Sequence, residues 1–147
     1  MKESIMGLDM YLTGDKFFTT FDKSYNEVER PIDLDGDSIQ TISNELGYWR
    51  KFGPLHTYIV DTFAGGVDEC QRIELEEVDL LKIAEALMGN SIAKDEDSAG
   101  CFFGSPEMWA EYRGDKESHS ATFIAASEWL RKQPDTQWRS VYYQASW

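Results

Sequence analysis

The chain has 147 residues, of which 41% are hydrophobic and 14% aromatic, so it is long enough for one hydrophobic core and too apolar for a disordered segment. Its 27 acids outnumber its 14 bases for a formal net charge of −13, shared evenly as 13 acids and 7 bases in residues 1–73 and 14 and 7 in residues 74–147. With no basic cluster longer than Arg50-Lys51 or Arg131-Lys132, the composition opposes direct contact with nucleic-acid phosphates and with anionic membrane surfaces.

In chain order, residues 8–20 read as a strand, because Leu8, Met10 and Leu12 alternate with Asp9, Tyr11 and Thr13. Residues 22–38 are polar and turn-rich, with Pro31 and the Asp33, Asp35, Asp37 cluster, and read as a loop joining two strands. Residues 46–51 form the second expected strand, closed by a Phe-Gly-Pro break. Pro54 suits a first helical turn, and Leu55, Tyr58, Ile59, Thr62 and Phe63 then share one helical face until Gly65-Gly66. Residues 70–75 read as a short strand. A second helix is expected over 76–88, with Leu80, Ile83, Ala84 and Leu87 on its buried side, acids in its first turn and Gly89 at its end. Residues 90–118 read as irregular, residues 120–132 as a third helix and residues 137–147 as a final strand. Strands interrupted by about three helices, without βαβ repeats, predict a single α+β domain over residues 1–147 with a mostly antiparallel sheet.

The two cysteines, Cys70 and Cys101, match neither a CxxC pair nor a zinc knuckle and are expected as reduced thiols. No apolar stretch approaches the roughly 20 residues of a membrane helix, and no apolar segment follows Met1-Lys2-Glu3-Ser4. A cytoplasmic protein is the expectation.

Several strings together resemble a family of small, mostly uncharacterised bacteriophage and prophage proteins. They are Met6-Gly-Leu-Asp-Met-Tyr-Leu12, Glu45-Leu-Gly-Tyr-Trp-Arg-Lys51, His56, Asp68-Glu-Cys70, Phe102-Phe-Gly-Ser105 and Tyr143-Gln-Ala-Ser-Trp147. The resemblance runs from Met6 to Trp147, leaving residues 1–5 as a short N-terminal extension and residues 20–44 without a counterpart. It implies expression in a bacterial host during infection and implies no reaction. Such a setting would suit an accessory protein that inhibits a host factor handling nucleic acid, for example a CRISPR effector or a restriction enzyme.

Four groups of residues are candidates for chemistry. Asp33, Asp35 and Asp37 occupy the first three ligand positions of a calcium loop, but Ser38 replaces the required glycine and Asn44 the bidentate glutamate, so a solvated turn is expected and no metal or cofactor is assigned. Arg50, His56, Asp68 and Cys70 hold the minimum for a small-ligand site or thiol chemistry. They would meet if residues 46–51 paired with residues 70–75, although His56 shares its helix face with Val60 and Phe63, where an ordinary buried histidine sits. Asp68, Glu69, Glu74, Glu76, Glu77 and Asp79, with Asp95, Glu96 and Asp97 further on, form an acidic face suited to a basic partner, though less dense than a DNA mimic requires. Trp109 and Tyr112 are the expected aromatic anchors beside it, while most of the five Trp are expected in the core with one or two exposed. The reading favoured is a non-enzymatic protein that binds a host protein with a basic surface. The alternative is a small enzyme or ligand binder at Arg50, His56, Asp68 and Cys70.

Overall fold

A computed structural model describes residues 7–89, 92 and 104–147. It is a single α+β domain in which a four-stranded antiparallel sheet carries four helices. Strand β1 (Asp9–Phe18) pairs with β2 (Thr41–Arg50) on one side and with β4 (Gln137–Ser146) on the other, and β3 (Ile73–Leu75) closes the far edge, giving the order β2-β1-β4-β3. Between β2 and β3 lies α1 (Gly53–Phe63), and between β3 and β4 lie α2 (Glu77–Met88), α3 (Pro106–Gly114) and α4 (Lys116–Arg131).

Period-two alternation places Met10, Leu12 and Gly14 of β1 and Val141, Tyr143 and Ala145 of β4 on one face of the sheet. That face meets the apolar stripes of the helices: Leu55 and Ile59 of α1, Leu80, Ile83 and Leu87 of α2, and Phe123 and Ala126 of α4 are all buried against it. Gly14 is required here because a Cβ would lie 2.7 Å from the Trp129 ring and 2.8 Å from Leu46 Cδ1. Leu12 faces Gly47 while Thr13 faces Glu45, so Leu46 is the extra residue of a β-bulge.

Local chemistry sets the helix ends. Pro54 opens α1, and the Asp79 carboxylate accepts from the Glu76 amide at 2.9 Å to cap α2. Four expectations change. The region 90–118, expected to be irregular, contains α3, started by Ser105, whose Oγ accepts from the Met108 amide, and by Pro106. The helix expected at 120 begins at Lys116, and with α3 the described residues hold four helices where about three were expected. Strand β2 begins at Thr41 rather than 46, and β3 at Ile73 rather than 70. Finally, β2 and β3 do not pair: β1 and β4 separate them, because β4, last in sequence, lies in the middle of the sheet between β1 and β3.

Candidate functional site

His56 lies on the buried side of α1, Tyr143 points from β4 into the same layer, and the loop after Gly65-Gly66 carries Asp68 up to them. His56 Nε2 lies 2.9 Å from Asp68 Oδ2, and His56 Nδ1 lies 2.6 Å from the Tyr143 hydroxyl. The second carboxylate oxygen of Asp68 accepts the Trp147 indole N–H at 3.3 Å. An ionised carboxylate only accepts, so Nε2 carries a proton, and in that neutral tautomer Nδ1 is the acceptor for the Tyr143 hydroxyl. Burial, reinforced by the charge of Asp68 and then Cys70, pushes the Tyr143 phenol well above its ordinary value and keeps it a donor.

This hydroxyl–imidazole–carboxylate chain has the order of a catalytic triad without its access. Tyr143 is 0% and His56 2% exposed, so no substrate reaches the hydroxyl. Both imidazole nitrogens are engaged within the network, which leaves His56 no free nitrogen with which to deprotonate the Cys70 thiol. What the network does is fasten the loop between α1 and β3 to the end of β4. A third tie runs from Gln144 Nε2 to the Cys70 carbonyl at 2.9 Å. Cys70 itself is half-buried, with a left-handed φ of 60°.

Of the four residues of the alternative site, the structure therefore unites His56 and Asp68, keeps Cys70 on the same loop, and sets Arg50 apart. Arg50 ends β2 with its guanidinium 3.6 Å from Asp9. Its backbone is latched by Tyr112, whose hydroxyl donates to Arg50 O at 2.7 Å and accepts from Arg50 N–H at 3.1 Å.

The acidic run is divided. Glu74, Glu76, Glu77 and Asp79 line an open groove of about 890 Å³ that also touches Gln133, Arg139 and Ser140. Asp79 is occupied with the α2 cap, and Glu77 lies 3.8 Å from Arg131. Asp68 is held in the histidine network and Glu69 stands exposed beside it, so these two do not share the groove. Asp95, Glu96 and Asp97 lie outside the described residues, as do Cys101 and Phe102-Phe103.

The expected aromatic anchors are not on the surface. Trp109 is fully buried, donating its indole N–H to Lys51 O at 3.0 Å, and Tyr112 is half-buried, stacked on Phe52 at 4.3 Å. Each polar tip found an internal backbone partner, which lets the rings serve the core. Asp33 uses one carboxylate oxygen to accept from the amides of Asp35 and Asp37, each at 2.9 Å, as a turn does. Among the described residues no cluster of His, Cys, Asp and Glu is arranged to hold a metal ion.

The side chains opposite the core make up the surface that sequence reasoning missed. On β1 these are Asp9, Tyr11, Thr13, Asp15 and Phe17. Register places Tyr11 between Tyr48 and Gln144, Thr13 beside Tyr142, Asp15 between Ser43 and Ser140, and Phe17 beside Trp138. Among the described residues no helix covers this face: Tyr11 is 38%, Tyr48 44%, Phe17 45% and Trp138 68% exposed. The Tyr11 and Tyr48 rings lie 5.2 Å apart. Tyr48 donates to Asp9 Oδ1 at 2.6 Å, and that bond, with burial and the nearby negative charge, pushes its phenol up to about 12. Trp138 and Trp147 are the exposed Trp residues among the described residues. The alternation that defines β1 already pointed Tyr11 outward, but only the cross-strand register shows which rings join it.

No family model matches the chain, and no curated protein or solved structure matches it either. Among the described residues no helix is long and apolar enough to cross a membrane.

Proposed function

We propose that this chain is a non-enzymatic binding domain that engages a protein with a basic surface through its helix-free sheet face. The observation that carries the reading is the continuous face itself, where Tyr11, Phe17, Tyr48 and Trp138 stand exposed among Asp9, Asp15 and Glu45. Exposed aromatic side chains on a rigid sheet supply contact area at low entropic cost, as interface hot spots do. The net charge of −13 disfavours nucleic acid and speeds encounter with a cationic protein. The resemblance to phage proteins supports a bacterial-host protein that handles nucleic acid as that partner, with inhibition as the outcome. The alternative, ligand or thiol chemistry at Arg50, His56, Asp68 and Cys70, draws no support from a histidine engaged at both nitrogens.

The test is affinity capture from bacterial lysate with three versions of the chain. Tyr11→Ser/Trp138→Ser alters the sheet face, whereas Leu81→Ser/Ile124→Ser alters exposed apolar positions on α2 and α4. A specific partner is expected to be retained by the wild type and the helix variant, lost by the sheet variant and eluted as salt rises. Capture that is indifferent to the sheet substitutions, or lost only with the helix ones, contradicts the assignment.

A further inference from the structure

Arg72 illustrates how the sheet face holds a guanidinium. Its Cζ stands 3.5 Å from the centroid of the Tyr142 ring while Nη2 reaches Asp15 Oδ2 at 3.1 Å, so a flat cation is stacked on a ring and paired with a carboxylate beside it. Tyr142 and Trp138 share this face four residues apart on β4, about 13 Å along the strand. At the Trp138 end, the loop after β1 and the turn before β4 enclose an open groove of about 520 Å³.

That groove repeats the ingredients without an arginine. Phe21, Tyr25 and Trp138 line it as exposed rings, and Asp22 and Asp135 supply carboxylates. Asp22 accepts the amides of Asn26 and Ser24, each at 2.9 Å, bonds that hold its carboxyl below the usual value and so ionised. Among the described residues Lys23 is the lysine lining the groove, and it forms a pair with Asp135 at 3.3 Å in which both side chains are mostly exposed, so the pair is weak and readily exchanged. Among the described residues no cation of the chain stacks on Phe21, Tyr25 or Trp138.

The geometry points to this groove as an arginine-binding subsite, which takes a guanidinium of the basic partner between the Trp138 ring and the carboxylates of Asp22 and Asp135. The inference rests on the sheet face being a protein-binding surface and names what that surface reads: arginine in preference to lysine. An ammonium is compact and strongly hydrated and gains less from ring faces, whereas a guanidinium stacks and donates in its own plane at once.

The test is a titration of the full chain with two short peptides of identical length and charge, one carrying arginines and the other lysines. The Trp138 indole N–H signal serves as the reporter in NMR spectra. The arginine peptide is expected to shift Trp138 and the Phe21 and Tyr25 amides, and to bind about five- to tenfold more tightly than the lysine peptide. Trp138→Ala, followed through the Phe21 and Tyr25 amides, removes that preference, and the exposure of Trp138 makes loss of the fold an unsuitable explanation. Lys23→Gln, which removes the competing cation, strengthens arginine binding. Equal affinity for the two peptides, or a preference unchanged by Trp138→Ala, overturns arginine recognition while leaving the basic-partner reading standing. Shifts confined to the groove lined by Glu74, Glu76, Glu77 and Asp79 overturn the position of the subsite. Partner capture that ignores the Tyr11 and Trp138 substitutions overturns the parent reading by itself.

Discussion

Replacing Tyr143 by Phe tests whether the His56–Asp68–Tyr143 chain is a structural fastener. The substitution keeps the ring, which is fully buried between the sheet and the helices, and so opens almost no cavity. It removes the hydroxyl that His56 Nδ1 accepts from at 2.6 Å. Taking the donor away from a buried acceptor costs about 1–3 kcal/mol, less what is regained by no longer burying the hydroxyl, so a net loss of about 1–2 kcal/mol is expected. For a chain of this length that corresponds to a fall in Tm of about 2–8 °C. Urea unfolding gives the free energy directly. In a double-mutant cycle, His56→Leu with Tyr143→Phe should cost less than the sum of the single changes by about 1 kcal/mol, because removing both partners leaves neither orphaned by the other. A Tyr143→Phe protein as stable as the wild type, or strictly additive costs, would refute the fastener.

Three further outcomes follow from the same geometry. Gly104 has a φ of +101°, and an added Cβ would overlap Lys51 O and lie 2.8 Å from Trp109 Nε1, so Gly104→Ala should cost about 3 kcal/mol or more; unfolding at the wild-type urea midpoint would contradict this. His119 Nδ1 accepts the Trp49 indole N–H at 3.0 Å, and burial, only partly opposed by Asp115, lowers its pKa below 6.5. The unfolded chain therefore takes up this proton first, so stability falls as pH drops below 6.5 and levels off below the folded value. His119→Asn, which retains an acceptor and does not titrate, should show a shallower decline in urea unfolding over that range, and parallel curves would be evidence against it. Tyr48, pushed up to about 12 by Asp9, should titrate closer to 10 in Asp9→Asn when its ring signals are followed by NMR; an unmoved titration would mean that the bond is not the cause.

Elements whose signals are local were legible in the sequence. Helix α1 announces itself through Pro54 and its apolar stripe, α2 through the acidic start that caps it and Leu80, Ile83 and Leu87, and β1 through strict alternation. Where a residue's role depends on a distant partner, the signal fades. The first half of β2, Thr41, Ile42, Ser43, Asn44 and Glu45, is an edge that buries little, so it carries no clear apolar period. Helix α3 is short and weakly amphipathic, although Ser105 and Pro106 mark its start, and it is anchored by Trp109 beneath Lys51 and by Tyr112 on Phe52 and the Arg50 backbone, partners distant in the chain. Sheet order was hidden because β4 lies between β1 and β3: its pairings with β1 span more than a hundred residues and those with β3 far more than any local turn, which no local spacing encodes. His56 and Asp68 were grouped in the sequence only through a pairing of residues 46–51 with residues 70–75 that the sheet does not contain, and Tyr143, which decides that the pair is buried and engaged, arrives from the far end of the chain.

The most direct test of the binding account is side-chain accessibility in the purified partner complex, read as paramagnetic relaxation of aromatic signals by a soluble agent. Tyr11, Phe17, Tyr48 and Trp138 are all open to solvent in the free chain. The account predicts that these four rings become shielded together in the complex while Leu81 and Ile124 on the helical side keep their exposure. Unchanged relaxation of the four rings, with shielding of the helical side instead, would contradict it.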